Sequence, residues 1–129
     1  MMRVVLIVAI LVAVGYYTVP DYVHKGNVER LLDAHPSATR NAPIEYYWAE
    51  TLRLINHDES AIYHFRRIIK KYPDSAYAPL AWVDIIDIFD DRNDREGVFR
   101  EAAAFMAEYP DHSKVGYVQK KVNFLKYGL

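Results

Sequence analysis

Pro36, Pro73 and Pro110 stand 37 residues apart each time, and a chain punctuated at one interval is built from copies of one unit. The residues leading into each proline agree in kind. Val28, Leu31, Leu32 and His35 fall on Phe65, Ile68, Ile69 and Tyr72, and these fall on Ala102, Phe105, Met106 and Tyr109. A period in the thirties made of helix-patterned segments predicts helical hairpins stacked side by side.

The apolar spacing within each unit is that of a helix. Ala61, Phe65, Ile68, Ile69 and Tyr72 sit at i, i+4, i+7, i+8 and i+11, one stripe at 3.6 residues per turn. Val98, Ala102, Phe105, Met106 and Tyr109 repeat it. Upstream of each stripe lies a second amphipathic segment: Glu45 to Leu54, with Trp48, Ala49 and Leu52, and Pro79 to Phe89, with Trp82, Ile85, Ile86 and Phe89. Each unit therefore reads as two helices.

The punctuation supports this. Asp58 and Asp94 are placed to cap the second helix of each pair, because a short carboxylate accepts the orphan N–H groups of a first turn. Lys70-Lys71-Tyr72-Pro73 and Tyr109-Pro110 end those helices, since proline drives the preceding residue out of helical geometry. Val115, Val118, Val122 and Leu125, set among Lys114, Lys120, Lys121 and Lys126, predict a half-exposed closing helix of the sort that ends a solenoid. Residues Pro36 to Pro43, with two prolines and Ser37, Thr39, Arg40 and Asn41, read as a connection.

With these residues the chain resembles the tetratricopeptide-repeat (TPR) family, in the slightly long form with Tyr-Pro-Asp-Ser between units found in envelope proteins. Trp48, Ala49, Leu52, Ala61, Phe65, Ile68 and Pro73 are similar to the family's small and large positions. Trp82, Phe89, Val98, Ala102, Phe105 and Pro110 follow less closely, with Ile86 where a small residue is usual and Val98 where alanine is. The resemblance, from about Asn27 onward, implies an all-α hairpin solenoid that binds other proteins; it implies no activity. The expected division is residues 1–20 as a membrane segment, 21–43 as a short helix and connection, and 44–129 as the TPR-like domain. Within that domain the repeats lie at about 43–75 and 77–112, and the closing helix at 114–127.

The N-terminus carries the other strong signal. After Met-Met-Arg, Val4 to Val19 are sixteen residues without a charge, stopped by Pro20-Asp21. At 1.5 Å per residue they span roughly 24 Å; with the two methionines added and Arg3 reaching outward they just cross a hydrocarbon core of about 30 Å. Val4, Leu6, Ile7, Ile10, Leu11, Val14, Tyr16 and Tyr17 are the expected lipid-facing set, with Tyr16, Tyr17 and Tyr22 as an aromatic belt. A cleaved signal peptide, processed near Tyr16, is the competing reading. A lipoprotein signal is excluded, because the chain has no cysteine. Arg3 on the short side favours a cytoplasmic N-terminus and a domain facing the periplasm.

Composition narrows the function. A net charge of −1 offers no general attraction to nucleic acid or to anionic lipid. Five scattered histidines make no His-x-x-x-His pair, and His57, Asp58 and Glu59 lie in a turn where capping accounts for them, so no metal is expected. There is neither a haem-attachment motif nor a glycine-rich phosphate loop, and no cofactor is expected. Asp84, Asp87 and Asp91 share one helical face, but they alternate with Ile85, Ile86, Ile88 and Phe89. That is the pattern of a wet helix face; a small hydrolase with an acidic site there is the weaker alternative. Arg66, Arg67, Lys70 and Lys71 likewise read as the solvated side of a helix, with contact to lipid headgroups or an acidic subunit as the lesser alternative.

A recognition surface is the better use of these residues. Tyr46, Tyr47 and Trp48 are consecutive, so one helix cannot bury all three, and with Trp48 on the core side one tyrosine stays exposed as an interface anchor. Tyr46, Tyr47, Glu50, Arg53, Asp84 and Asp87 form the candidate partner-binding set, with no catalytic residue among them. The expected protein is a membrane-anchored scaffold or accessory subunit in a multi-subunit membrane complex, contacting lipid through its leader; the alternative is a periplasmic adaptor released by cleavage.

Overall fold

The computed structural model describes residues 8, 9, 11, 27–34 and 37–128, and every element among them is an α-helix. The chain divides into two units, Met1–Ser37 and Ala38–Leu129. In the first, Val8, Ala9 and Leu11 are helical and exposed, and helix α1, Asn27–Ala34, buries Leu32 while Leu31 is largely exposed. The expected anchor residues Val4, Leu6, Ile7, Ile10, Val14, Tyr16 and Tyr17 lie outside the described residues, as do Tyr22, His24, His35 and Pro36. Among the described residues no helix is long and apolar enough to cross a membrane.

The second unit holds α2 (Ala38–Leu54), α3 (Asp58–Lys71), α4 (Tyr77–Asp91), α5 (Arg95–Glu108) and α6 (Val115–Tyr127). They pack in chain order, and α2 also touches α4. The interval of the prolines reappears in the backbone. Asp58 and Arg95 start equivalent helices, Lys71 and Glu108 end them, and Leu54 and Asp91 end the helices before them, each pair 37 residues apart. Asn56 and Asn93 are both left-handed, with φ of 61° and 57°. At each, two reverse bonds close the helix: Asn56 N–H to Arg53 O at 3.0 Å and His57 N–H to Leu52 O at 2.8 Å, then Asn93 N–H to Asp90 O and Asp94 N–H to Phe89 O, both at 2.9 Å. This is the Schellman termination with asparagine in place of glycine, an amino acid that tolerates positive φ. Tyr72 and Tyr109, the residues before proline, leave the helix at matching angles, φ −130° and −125°, ψ 53° and 61°, outside the helical region that a following proline disfavours.

Two cores follow from the stripes. Ala49, Leu52, Ala61, Phe65, Ile68, Ala78, Ala81, Ile85 and Ile88 form one; Val83, Ile86, Val98, Ala102, Phe105, Val118 and Val122 form the other. α4 supplies both, through Ala78, Ala81, Ile85 and Ile88 on one side and Val83 and Ile86 on the other. Phe65 and Phe105 are fully buried at the two centres, each contributing about 1.5–3 kcal/mol by leaving water. Ile86 and Val98, bulky where small residues were expected, are also wholly buried.

Two expectations are corrected. Residues 38–43 are not a connection: α2 begins at Ala38 and runs through Pro43. The ring removes one intrahelical bond, a cost of about 3 kcal/mol in a helix interior, and the buried Ala42, Ala49 and Leu52 hold the helix together across it. Asp94 caps α5 as expected, accepting from Gly97 N–H at 2.9 Å, but Asp58 does not cap α3. His57 holds that position without a side-chain bond; Asp58 lies in the first turn, where its charge suits the helix dipole and faces Arg92 Nε at 3.5 Å.

Candidate functional site

The predicted partner-binding residues fall at the junctions of the first helices of each hairpin. α2 projects Tyr46, Glu50 and Arg53, at i, i+4 and i+7, towards α4. Tyr46 Oη donates to Asp84 Oδ2 at 2.7 Å, and Arg53 reaches Asp84 Oδ1 and Asp91 Oδ2, both at 3.3 Å. Tyr46 also packs against Phe65, Tyr77 and Tyr47, with ring centroids 5.3–5.8 Å apart. Tyr46 is thus partly buried, whereas Tyr47 is 61% exposed. One turn further along α4, Asp87 Oδ1 accepts from Tyr117 Oη at 2.8 Å and lies 3.3 Å from Lys121 Nζ, which also binds Asp90.

The structure therefore brings Tyr46, Arg53 and Asp84 into direct contact, while Asp87, one turn along α4, bonds instead to α6. Asp84 bonds to α2 and Asp87 to α6, so the two carboxylates tie α4 to different neighbours. Burial raises the Asp84 carboxyl to about 6, helped by the nearby Glu50 and Asp87, against the downward pull of the Tyr46 hydroxyl and the Arg53 guanidinium. Burial, then the adjoining Asp84 charge, pushes the Tyr46 phenol far above its ordinary range. Lys121 loses hydration but is held charged more firmly than usual by Asp90 and Asp87. Beside the Arg53 junction, Glu50, Arg53, Leu54, Asp91 and Arg92 line an open depression in which Leu54 is 81% exposed.

Sequence reasoning missed two buried ionic clusters. Glu45 is wholly buried, accepts from Arg67 Nε, and has Oε1 3.1 Å from His64 Nδ1. Glu101, almost as buried, accepts from Arg66 and, at 3.0 Å, from Trp82 Nε1. Trp82 is 37 residues after Glu45 and Glu101 is 37 after His64, so each hairpin joins its helices by a polar contact at one position, with the acid on opposite sides. Arg66 and Arg67 are thus partners of buried acids, not merely a solvated face as expected. A signal existed: Glu45 lies on the stripe Ala42, Ala49, Leu52, and Glu101 on the stripe Val98, Ala102, Phe105. A charge on an apolar stripe announces a buried partner.

Among the described residues, no group of three or more His, Asp or Glu side chains is disposed to hold a metal ion; Glu59, beside His57, pairs instead with Arg92 Nη1 at 2.7 Å. No family model, curated protein or solved structure matches the chain.

Proposed function

We propose that this chain is a membrane-tethered, TPR-like docking subunit, held by its apolar leader in a bacterial inner membrane with the helical domain on the periplasmic side, and that it binds another protein subunit of a membrane complex. The observation that carries the reading is the face of α2 and α4. Its aspartates Asp84, Asp87, Asp90 and Asp91 are bonded to Arg53 or Lys121, which ties α4 to α2 and α6. Tyr47 and Leu54 are left exposed beside that rigid network. Large side chains on an immobile support bind at low entropic cost, and an exposed tyrosine is a common anchor of such surfaces.

The test is purification of the native protein in mild detergent with mass spectrometry of co-migrating subunits, repeated with Tyr47→Ala plus Leu54→Ala. Loss of the co-migrating protein from a variant that keeps its helical circular dichroism is the expected result; an unchanged subunit profile refutes this face. Intact mass decides the tether, since a native chain beginning near Tyr16 excludes it.

A further inference from the structure

The last helix reverses the pattern of the helix it repeats. Where α4 carries Val83 and Ile86 into the core, α6 carries Lys120 and Asn123; where α4 carries Asp87 and Asp90, α6 carries Phe124 and Tyr127. Polar residues at the stacking positions end the stack, but that does not account for the aromatic ones. Phe124 is 62% exposed and Tyr127 69%, and they align with Tyr117, 41% exposed, and with Lys120 at i, i+3, i+7 and i+10. This is one outward stripe of a helix.

We propose that this stripe rests on the anionic surface of a lipid bilayer, giving the domain a second membrane contact. The inference depends on the tether proposed above. Three observations select the occupant. α6 contains Lys120, Lys121 and Lys126 and no acid, with Lys114 beside it over the Tyr117 ring. The nearest carboxylates, Asp87 and Asp90, are both bonded to Lys121, and Asp87 also accepts from Tyr117. Aromatic and lysine side chains on one helix face are the composition that lies in a headgroup layer, rings at the acyl boundary and ammonium groups among phosphates. A second copy fits less well, because α6 against α6 sets lysine against lysine.

The absence of cysteine permits a direct test on the full chain. Tyr127→Cys, and Ala103→Cys on the exposed side of α5 as control, are spin-labelled and reconstituted in vesicles of phosphatidylcholine with or without phosphatidylglycerol. The expected result is higher oxygen collision and lower nickel-chelate collision at position 127 than at 103, in phosphatidylglycerol vesicles only. Lys120→Gln lowers the docked-to-free ratio about five-fold, and Phe124→Ser added to it abolishes docking. Position 127 remaining as aqueous as 103 overturns the proposal, as does spin–spin broadening between labels at 127, which assigns the face to a second copy. Protection at 127 that needs an added acidic protein also overturns it. Resistance to an alkaline carbonate wash reads the tether separately: a chain that resists the wash with 127 in water keeps the anchor and loses this contact, whereas a chain removed by the wash refutes the anchor and with it the reading of α6 as a second contact.

Discussion

Replacing Asp84 by asparagine tests whether burial or the Arg53 ion pair governs the α2–α4 junction. Asparagine keeps an oxygen for the Tyr46 hydroxyl and cannot ionise. The carboxyl titrates at about 6 in the folded protein and near 3.9 in an unfolded chain. Because the folded value is the higher one, the native state holds this proton more tightly. The resulting stabilisation is complete below about pH 4 and is lost as the pH rises through 6. Two units correspond to about 2.7 kcal/mol; with the Asp84 side chain still 15% exposed, solvent screening reduces this to roughly 2 kcal/mol. In urea denaturation of the full chain in mild detergent, the stability of Asp84→Asn relative to the native protein should therefore rise by roughly 2 kcal/mol between pH 4 and pH 7. In melting temperature this is roughly 10 °C for a domain of this size. Parallel curves, or a native protein that gains on the variant as pH rises, would mean that Arg53 outweighs desolvation and that the junction is an ordinary favourable ion pair.

Other perturbations probe the repeat and its buried charges. Asn93→Ala, at φ 57°, should cost about 1 kcal/mol in chemical denaturation while Asn93→Gly costs little or stabilises; equal losses would remove the backbone explanation. Gly97→Ala should destabilise by about 1 kcal/mol despite alanine's helix propensity, because a Cβ there meets Asp94 Oδ2 at 2.7 Å and Phe89 Cδ1 at 2.8 Å; a thermal melt showing a more stable variant refutes this. Arg66→Ala leaves the buried Glu101 with only Trp82 and the more distant Arg100 and should cost about 2 kcal/mol. Arg66, with Trp82, holds that carboxyl below its ordinary range against the opposing effect of burial. The native protein's advantage over Arg66→Ala is thus present at neutral pH and fades as acid protonates Glu101; an advantage constant down to pH 3 contradicts it.

The candidate site was legible only in part. That one of Tyr46 and Tyr47 stays exposed follows because three consecutive bulky residues cannot share one helix face, a local argument; that it is Tyr47 depends on Tyr46 being bonded to Asp84. That Asp84 is claimed by Tyr46 and Arg53, 38 and 31 residues upstream, depends on which helix lies alongside α4. The acids of α4 alternate with isoleucines, so from sequence they look like a wet face. In the fold the helix lies between α2 and α6, and nearly every side of it meets a neighbour.

Helix class, the 37-residue register and the ends of α3 and α5 were determined by the sequence alone, since they rest on short-range causes: apolar spacing at 3.6 residues per turn and a ring that bars helical geometry at Tyr72 and Tyr109. Tertiary structure alone decided that α2 continues through Pro43, that Glu45 and Glu101 are buried with arginines, and that Phe124 and Tyr127 face outward. Each of these turns on burial by a helix distant in the chain, or on its absence, and a propensity or a stripe records only that a face exists, not what covers it.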